Sequence, residues 1–185
     1  MSLHNEVEFE KEICAHLGAN GWLYAEPGNS GDATGYDTPR ALYTSDLVAW
    51  VQASQQQVWE TLQKSHGASA EIMLLDKVRK QLDERGTLEV LRVGVEMVGL
   101  KAPLKFAQFK PALAMNADLE AKYAANRLRV VRQIRTNHDD IIDLVLFLNG
   151  IPVATAELKS DFTQDVNAAV DQYRFDRIPR PKGKN

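Results

Sequence analysis

Apolar positions recur at helical spacing near the start of the chain, where Phe9, Ile13, His16 and Leu17 fall on one face. They predict a helix over residues 5–19, with Asn5 as its N-cap, Glu6, Glu8 and Glu10 in its first turns, and Gly18 or Gly21 at its end. The stretch from Trp22 to Pro39 is rich in glycine, proline, Asn29, Ser30 and Asp32 and reads as a long loop. Helical patterning returns from Ser45 to Gln63 through Leu47, Trp50, Val51, Val58, Trp59 and Leu62, with Ser45 placed to cap. Gly67-Ala68-Ser69 breaks it. A further amphipathic helix over Ala70 to Leu82 sets Ile72, Leu75, Val78, Arg79 and Leu82 on one side. Thr87 to Val98 fits helix or strand and is read as a short helix. Pro103 to Phe109 alternates as a strand does, and Asp118 to Asn126 reads as a short helix. Arg127 to Arg135 reads as a strand with Leu128, Val130, Arg132 and Ile134 on one face, and Asn137-His138-Asp139-Asp140 as a turn. Thr163 to Phe175 predicts a last helix that turns Val166, Ala169, Val170 and Tyr173 to the sheet, stopped by Pro179 and Pro181. Together these elements predict an α/β domain over 1–180, with a mixed sheet of about four or five strands flanked by helices and a helical insert at 45–98. The polar residues 181–185 read as the start of a linker.

Between the turn and the last helix lies the stretch on which the functional reading rests. Ile141 to Lys159 reads as two apolar strands joined at Asn149-Gly150, the strongest short-range hairpin signal. Alternation places Asp143, Val145 and Phe147 on one face of the first strand, with Glu157 and Lys159 sharing a face of the second. Three charges therefore stand in strands apolar enough to be buried, where a charge is costly unless paired or bound to metal. Asp143 and Glu157 offer hard oxygens to Mg2+, the Leu158 backbone carbonyl offers another, and Mg2+ keeps waters that serve as nucleophiles. Lys159 is placed to orient that water, to stabilise charge on a phosphate, or to act as a base. This is the layout of a metal-dependent phosphodiesterase; a structural ion pair between Lys159 and one carboxylate is the plainer alternative. Glu10, at the edge of the first helix's apolar stripe, is either an exposed acid favouring the helix dipole or a third carboxylate facing the metal site.

Composition narrows the choice. With 185 residues and 44% apolar content, one packed domain is expected rather than a disordered chain. The net charge of −3 does not by itself suggest nucleic acid, but the charge is uneven. Lys122, Arg127, Arg129, Arg132 and Arg135 form a stripe free of acids, and five basic residues lie between 171 and 185. Such stripes serve a phosphate backbone or a solvated face, and charge alone favours the face. The single cysteine, Cys14, excludes an internal disulfide, and the four histidines show no ligand spacing. No apolar run is long enough to span a membrane and no signal peptide is visible, so the cytoplasm is the expected compartment. Gly28 to Gly35 lacks the Gly-Lys-Ser/Thr ending of a phosphate loop, and no ATP site is read in the chain.

Ile142-Asp143 followed by Glu157-Leu158-Lys159 resembles the PD-(D/E)XK nuclease motif, here without its proline. The chain as a whole resembles the N-terminal endonuclease domain of the R (restriction, motor) subunit of type I restriction enzymes. The likeness is carried by Glu6 to Glu10 with Ile13, Leu17 and Gly21-Trp22, and by Tyr123 to Leu128 leading into Arg132-Gln133. It continues through Ile142 to Gly150 with Glu157-Leu158-Lys159, and ends with Ala169 to Arg177. The resemblance implies a restriction-endonuclease-like core and a type I site-specific deoxyribonuclease that cuts double-stranded DNA with Mg2+. By the family's pattern Asp143 and Glu157 are metal ligands, Lys159 is the catalytic lysine, and Glu10 completes the site. The family's Gln-x-x-x-Tyr motif, which contacts DNA, is met by Tyr173, but Ala169 stands where its glutamine belongs; Gln172 is kept with Tyr173 as a DNA contact. Methylation and specificity subunits are the implied partners, the latter reading the DNA sequence. ATP belongs to a motor region absent from this chain. The alternatives are another PD-(D/E)XK nuclease of DNA repair or recombination, and a non-catalytic DNA-binding module.

Overall fold

The computed structural model describes residues 2–25, 35–112, 116–136, 140–158, 166–171 and 174–175. A four-stranded mixed sheet organises them, in the order β1-β4-β5-β6. Strands β4 (Leu128–Arg135), β5 (Ile141–Leu148) and β6 (Ile151–Ala156) are antiparallel neighbours. The short strand β1 (Leu23–Ala25) pairs parallel to β4. The loop predicted from Trp22 to Pro39 thus begins with a strand, and Tyr36–Asp37 (β2) pairs with Leu42–Tyr43 (β3) at its far side. These strands are two or three residues long, too short for alternation to reveal them.

Helix α1 (Ser2–Ala19) packs on β1 and β4. It begins before Asn5, which is therefore an interior residue and not a cap. Its buried stripe is Glu10, Ile13, Cys14 and Leu17, while Phe9 and His16 face solvent. Ile13 and Leu17 lie on the buried face as predicted, while Glu10 and Cys14 take the places there that the pattern gave to Phe9 and His16.

The helical insert is present as α2 (Thr44–Ser54), α3 (Gln56–His66), a 3-10 turn (Gly67–Ser69), α4 (Ala70–Arg85) and α5 (Thr87–Val93). Tyr43, not Ser45, stands at the N-cap of α2, and no side chain caps it. Helix α4 buries Leu74, Leu75 and Val78, while Ile72 is exposed. The expected strand over 103–109 reduces to one bridge, Leu104 to Val95. Leu104 and Phe106 are instead fully buried against the insert, which accounts for their apolar alternation. Helix α6 (Ala117–Ala124) is capped by Asn116, whose side chain accepts from the Asp118 and Leu119 N–H groups. Of the last predicted helix, α7 (Val166–Asp171) is described; Val170 is largely exposed there rather than turned to the sheet. The predicted turn at 137–139 and residues 176–185 lie outside the described residues.

The hairpin forms as predicted. Asn149 and Gly150 both take positive φ, 49° and 80°, as a tight two-residue turn demands. Leu146 pairs with Ala154 and Phe147 with Pro152, so Val153 bulges out of register. The hairpin tip is wedged under the insert. Gly150 C=O accepts from Tyr43 N–H at 2.9 Å, and a Cβ on Gly150 would collide with backbone atoms of Tyr43 and Leu47. Asn149 is fully buried. Its amide donates to Phe106 C=O and Asn126 Oδ1, and its oxygen accepts from Arg127 N–H.

Three apolar clusters form among the described residues. The largest joins the insert helices to the hairpin through Ile151 and Leu148. A second lies on one sheet face, where Val131, Ile134, Val145 and Phe147 meet Tyr43 and Tyr36. A third lies between α1 and the other face, with Cys14, Val130 and Leu144 at its centre.

Candidate active site

Strands β4 and β5 run in register from Leu128↔Leu148 to Arg135↔Ile141. The pairs Arg132↔Leu144 and Ile134↔Ile142 bracket Gln133 and Asp143, which therefore stand across from each other. At this point strict alternation breaks. Gln133 takes φ 54°, a left-handed value that costs a non-glycine residue about 1–3 kcal/mol. The twist brings Ile134 to the face of Val131, and Ile142 packs with Val145 and Phe147. The expectations that Ile134 shares the face of Leu128, Val130 and Arg132, and that Asp143 shares that of Val145 and Phe147, are corrected accordingly.

The Asp143 carboxylate accepts from Leu158 N–H at 2.7 Å through Oδ2. Its Oδ1 lies 3.5 Å from Gln133 Nε2, at the limit of a hydrogen bond. The same Gln133 nitrogen donates to Glu10 Oε1 at 2.6 Å. Glu10 Oε2 accepts from Arg132 Nε at 3.1 Å. Four elements thus converge: α1 supplies Glu10, β4 supplies Arg132 and Gln133, β5 supplies Asp143, and the chain just past β6 supplies Leu158. Glu10 is 3% exposed. The exposed acid that was one of the two sequence readings is thus excluded, and Gln133 joins Glu10 to Asp143. Burial pushes its carboxyl above the ordinary carboxylate range; Arg132 pulls the other way, and Asp143 adds to the rise. Burial works against the charge on Arg132, yet Tyr24 and Glu10 outweigh it and hold its pKa above the ordinary value.

Glu157 and Leu158 follow β6 rather than belonging to it, which corrects their placement in the second strand. Leu158 packs against the cluster of Cys14, Val130 and Leu144. Glu157 has an interaction of its own, while its Oε1 atom is buried and accepts no hydrogen bond. Lys159, Gln172 and Tyr173 lie outside the described residues.

Two participants escaped the sequence reading. Arg132 and Gln133 were read as strand residues within a stretch that carries the family likeness, and Arg132 as part of the basic stripe, without a place in the site, although a charged Arg132 amid Val130, Val131 and Ile134 is the same signal that singled out Asp143. The basic stripe is also corrected. Arg127 and Arg129 both pair with Asp46, which is 1% exposed on α2. Arg129 further lies over the Tyr43 ring, 4.0 Å from its centre. With Arg132 on Glu10, three of the five stripe residues bind buried acids of this chain, while Lys122 and Arg135 are exposed. A cavity of about 540 Å³, lined by Phe109, Tyr123, Leu128 and Leu148 among others, includes none of the carboxylates.

The donor set suits a hard divalent cation. Mg2+ is usually held by one or two carboxylates, with water and substrate oxygens completing its shell. Asp143, Glu157 and the Leu158 carbonyl are oxygen donors of that kind, and the buried Glu157 Oε1, which accepts no hydrogen bond, is one such oxygen. Among the described residues no three His, Cys, Asp or Glu side chains form a ready-made cage. Among them, too, no helix is long and apolar enough to cross a membrane.

A family model described as the type I restriction enzyme R protein N terminus matches residues 4–181. No curated protein and no solved structure matches the chain.

Proposed function

The chain belongs to the family of type I restriction enzyme R protein N termini, and on that premise we propose that it is a Mg2+-dependent endonuclease domain that hydrolyses DNA phosphodiester bonds. The observation that carries the reading is the convergence of Glu10 and Asp143 on one Gln133 amide at the end of an otherwise apolar sheet. Residues 133 positions apart in the chain are held together where their charges repel, and burial strengthens that repulsion. Asp46, by contrast, is a structural acid held between two arginines.

In this reading Asp143 and Glu157 hold the metal, with the Leu158 carbonyl as a further ligand. Mg2+, when bound, supplies charge stabilisation to the scissile phosphate and a water of lowered pKa. The Leu158 N–H fixes the Asp143 carboxylate so that Oδ1 faces Gln133 and the site. Arg132 fixes Glu10 in the same way. Burial makes Glu10 take up a proton more readily than an ordinary carboxylate, despite the opposing pull of Arg132. Lys159 follows Leu158 directly and is assigned the catalytic amine, opposing charge on the phosphate in the transition state. Gln172 and Tyr173 are assigned to the DNA backbone. The partners are double-stranded DNA and the methylation and specificity subunits, with ATP consumed only by a motor region outside this chain.

The test is cleavage of circular plasmid DNA by the enzyme reassembled with its full-length R subunit. Asp143→Ala, Glu157→Ala and Lys159→Ala are each expected to lower the Mg2+-dependent rate by at least ~100-fold, the scale of losing one transition-state contact, with folding intact by circular dichroism. A Lys159→Ala enzyme that still cuts removes the amine from the mechanism. Undiminished cleavage in all three variants moves the domain to the non-catalytic DNA-binding alternative.

A further inference from the structure

Gln133 occupies an unusual position for a neutral side chain. Its Nε2 lies 2.6 Å from Glu10 Oε1 and 3.5 Å from Asp143 Oδ1, on the line where two carboxylates face each other. A left-handed backbone, φ 54° in mid-strand, aims it there. The same departure also seats Ile134, almost fully buried, among Val131, Val145 and Phe147. A regular strand conformation would keep Gln133 in alternation, and it is the departure that delivers the amide to the acids. Backbone strain of this kind persists only where the surroundings impose it, and it concentrates at functional sites.

We propose that Gln133 is a positioning residue that stands in for the cation: its amide hydrogens hold Glu10 and Asp143 together while no metal is bound, and the metal displaces it. The inference rests on the endonuclease reading above and adds to it a residue that sets metal affinity. The geometry fixes the sign of the effect. Each carboxylate has a second tether independent of Gln133, Arg132 Nε at 3.1 Å for Glu10 and Leu158 N–H at 2.7 Å for Asp143. Removing the amide therefore leaves both acids in place and takes away only the donor with which the metal competes. The metal-free state is raised in free energy, the bound state is not, and binding tightens. A residue with a purely structural role predicts the opposite or nothing.

The experiment titrates Mn2+ into the protein and follows free Mn2+ by electron paramagnetic resonance, for the wild type, Asp143→Asn, Gln133→Gly and Gln133→Asn. Glycine accepts positive φ without strain, and asparagine tolerates it while being too short to span the two acids. Both are thus suited to fold, and melting curves verify it. The expected result is binding in the wild type, its loss in Asp143→Asn, and a dissociation constant lower on the order of tenfold in both Gln133 variants. That factor is the equivalent of one charge-assisted hydrogen bond of ~1.4 kcal/mol released. Unchanged or weaker binding in the Gln133 variants, with Asp143→Asn still defective, overturns the proposal and leaves the metal site standing. No binding in any of the four proteins overturns the metal site and the proposal together.

Discussion

At the residue scale the site is two acids drawn to one amide. Glu10 and Asp143 share the Gln133 donor, and among the described residues Glu10 also takes a hydrogen bond from Arg132 and Asp143 one from the Leu158 N–H. Because its folded pKa is raised, Glu10 makes the native state bind more protons than the unfolded chain over the interval between the ordinary and the raised value. Its contribution to stability is therefore fully present below the ordinary carboxylate pKa and is lost as pH climbs through the raised one. Glu10→Gln removes this dependence. Urea unfolding without divalent metal, followed from acid to neutral pH, is expected to show a shallower fall in stability for the variant; an equal fall in both proteins contradicts it. Asp143, Glu157 and Lys159 were singled out from the sequence as candidates because charge stood out among apolar residues. Gln133 was not, because a neutral amide in a strand carries no such contrast and its importance lies in a backbone angle that spacing does not encode. Glu10 fell between, visible as an acid beside the apolar stripe of α1 but set at the stripe's edge instead of within it.

At the scale of elements the β5–β6 hairpin is the part the sequence declared most clearly. Asn-Gly announces the turn, and both residues adopt the positive φ it requires. What the dipeptide did not announce is that the turn is buried. Asn149 satisfies backbone groups of Phe106 and Arg127, and Gly150 abuts the entry to α2. Gly150→Ala combines left-handed strain with a clash against backbone that has no room to move, and is expected to destabilise by about 3 kcal/mol. A loss below about 1 kcal/mol in chemical denaturation shows that the tip and α2 separate readily. The segment 103–109 illustrates the reverse error. Its alternation is real, but Leu104 and Phe106 alternate into the insert core, not along a sheet. Period-two patterning reports one buried side, whatever covers it, and a ladder needs a partner strand that pattern alone does not supply. Strands of two or three residues, such as β1 and β2, are too short to carry any period.

At the scale of the molecule, an α/β sheet carries the acids at one end and the helical insert grips the hairpin at its tip. The joint between sheet and insert is electrostatic as well as apolar: Asp46 on α2 takes Arg127 and Arg129 from β4. Asp46→Ala strands Arg129, itself mostly buried, and is expected to cost on the order of 3 kcal/mol. Arg127, more exposed, adds little to that figure. A loss below about 1 kcal/mol in urea unfolding shows that solvent replaces the aspartate. The sequence displayed these arginines as a basic stripe, for a phosphate backbone or a solvated face, because charge counted along a chain does not reveal which acids lie across from it in space. The family, the mixed sheet and the insert were legible; the internal pairing of the stripe was not. The account rests finally on a metal at the carboxylate end of the sheet. The most direct measurement is a calorimetric titration of Mg2+ or Mn2+ into the protein with a short DNA duplex present, beside the Asp143→Ala/Glu157→Ala double variant. Heat of binding in the wild type that vanishes in the variant is the predicted result, and no binding, or equal binding in both proteins, contradicts the account.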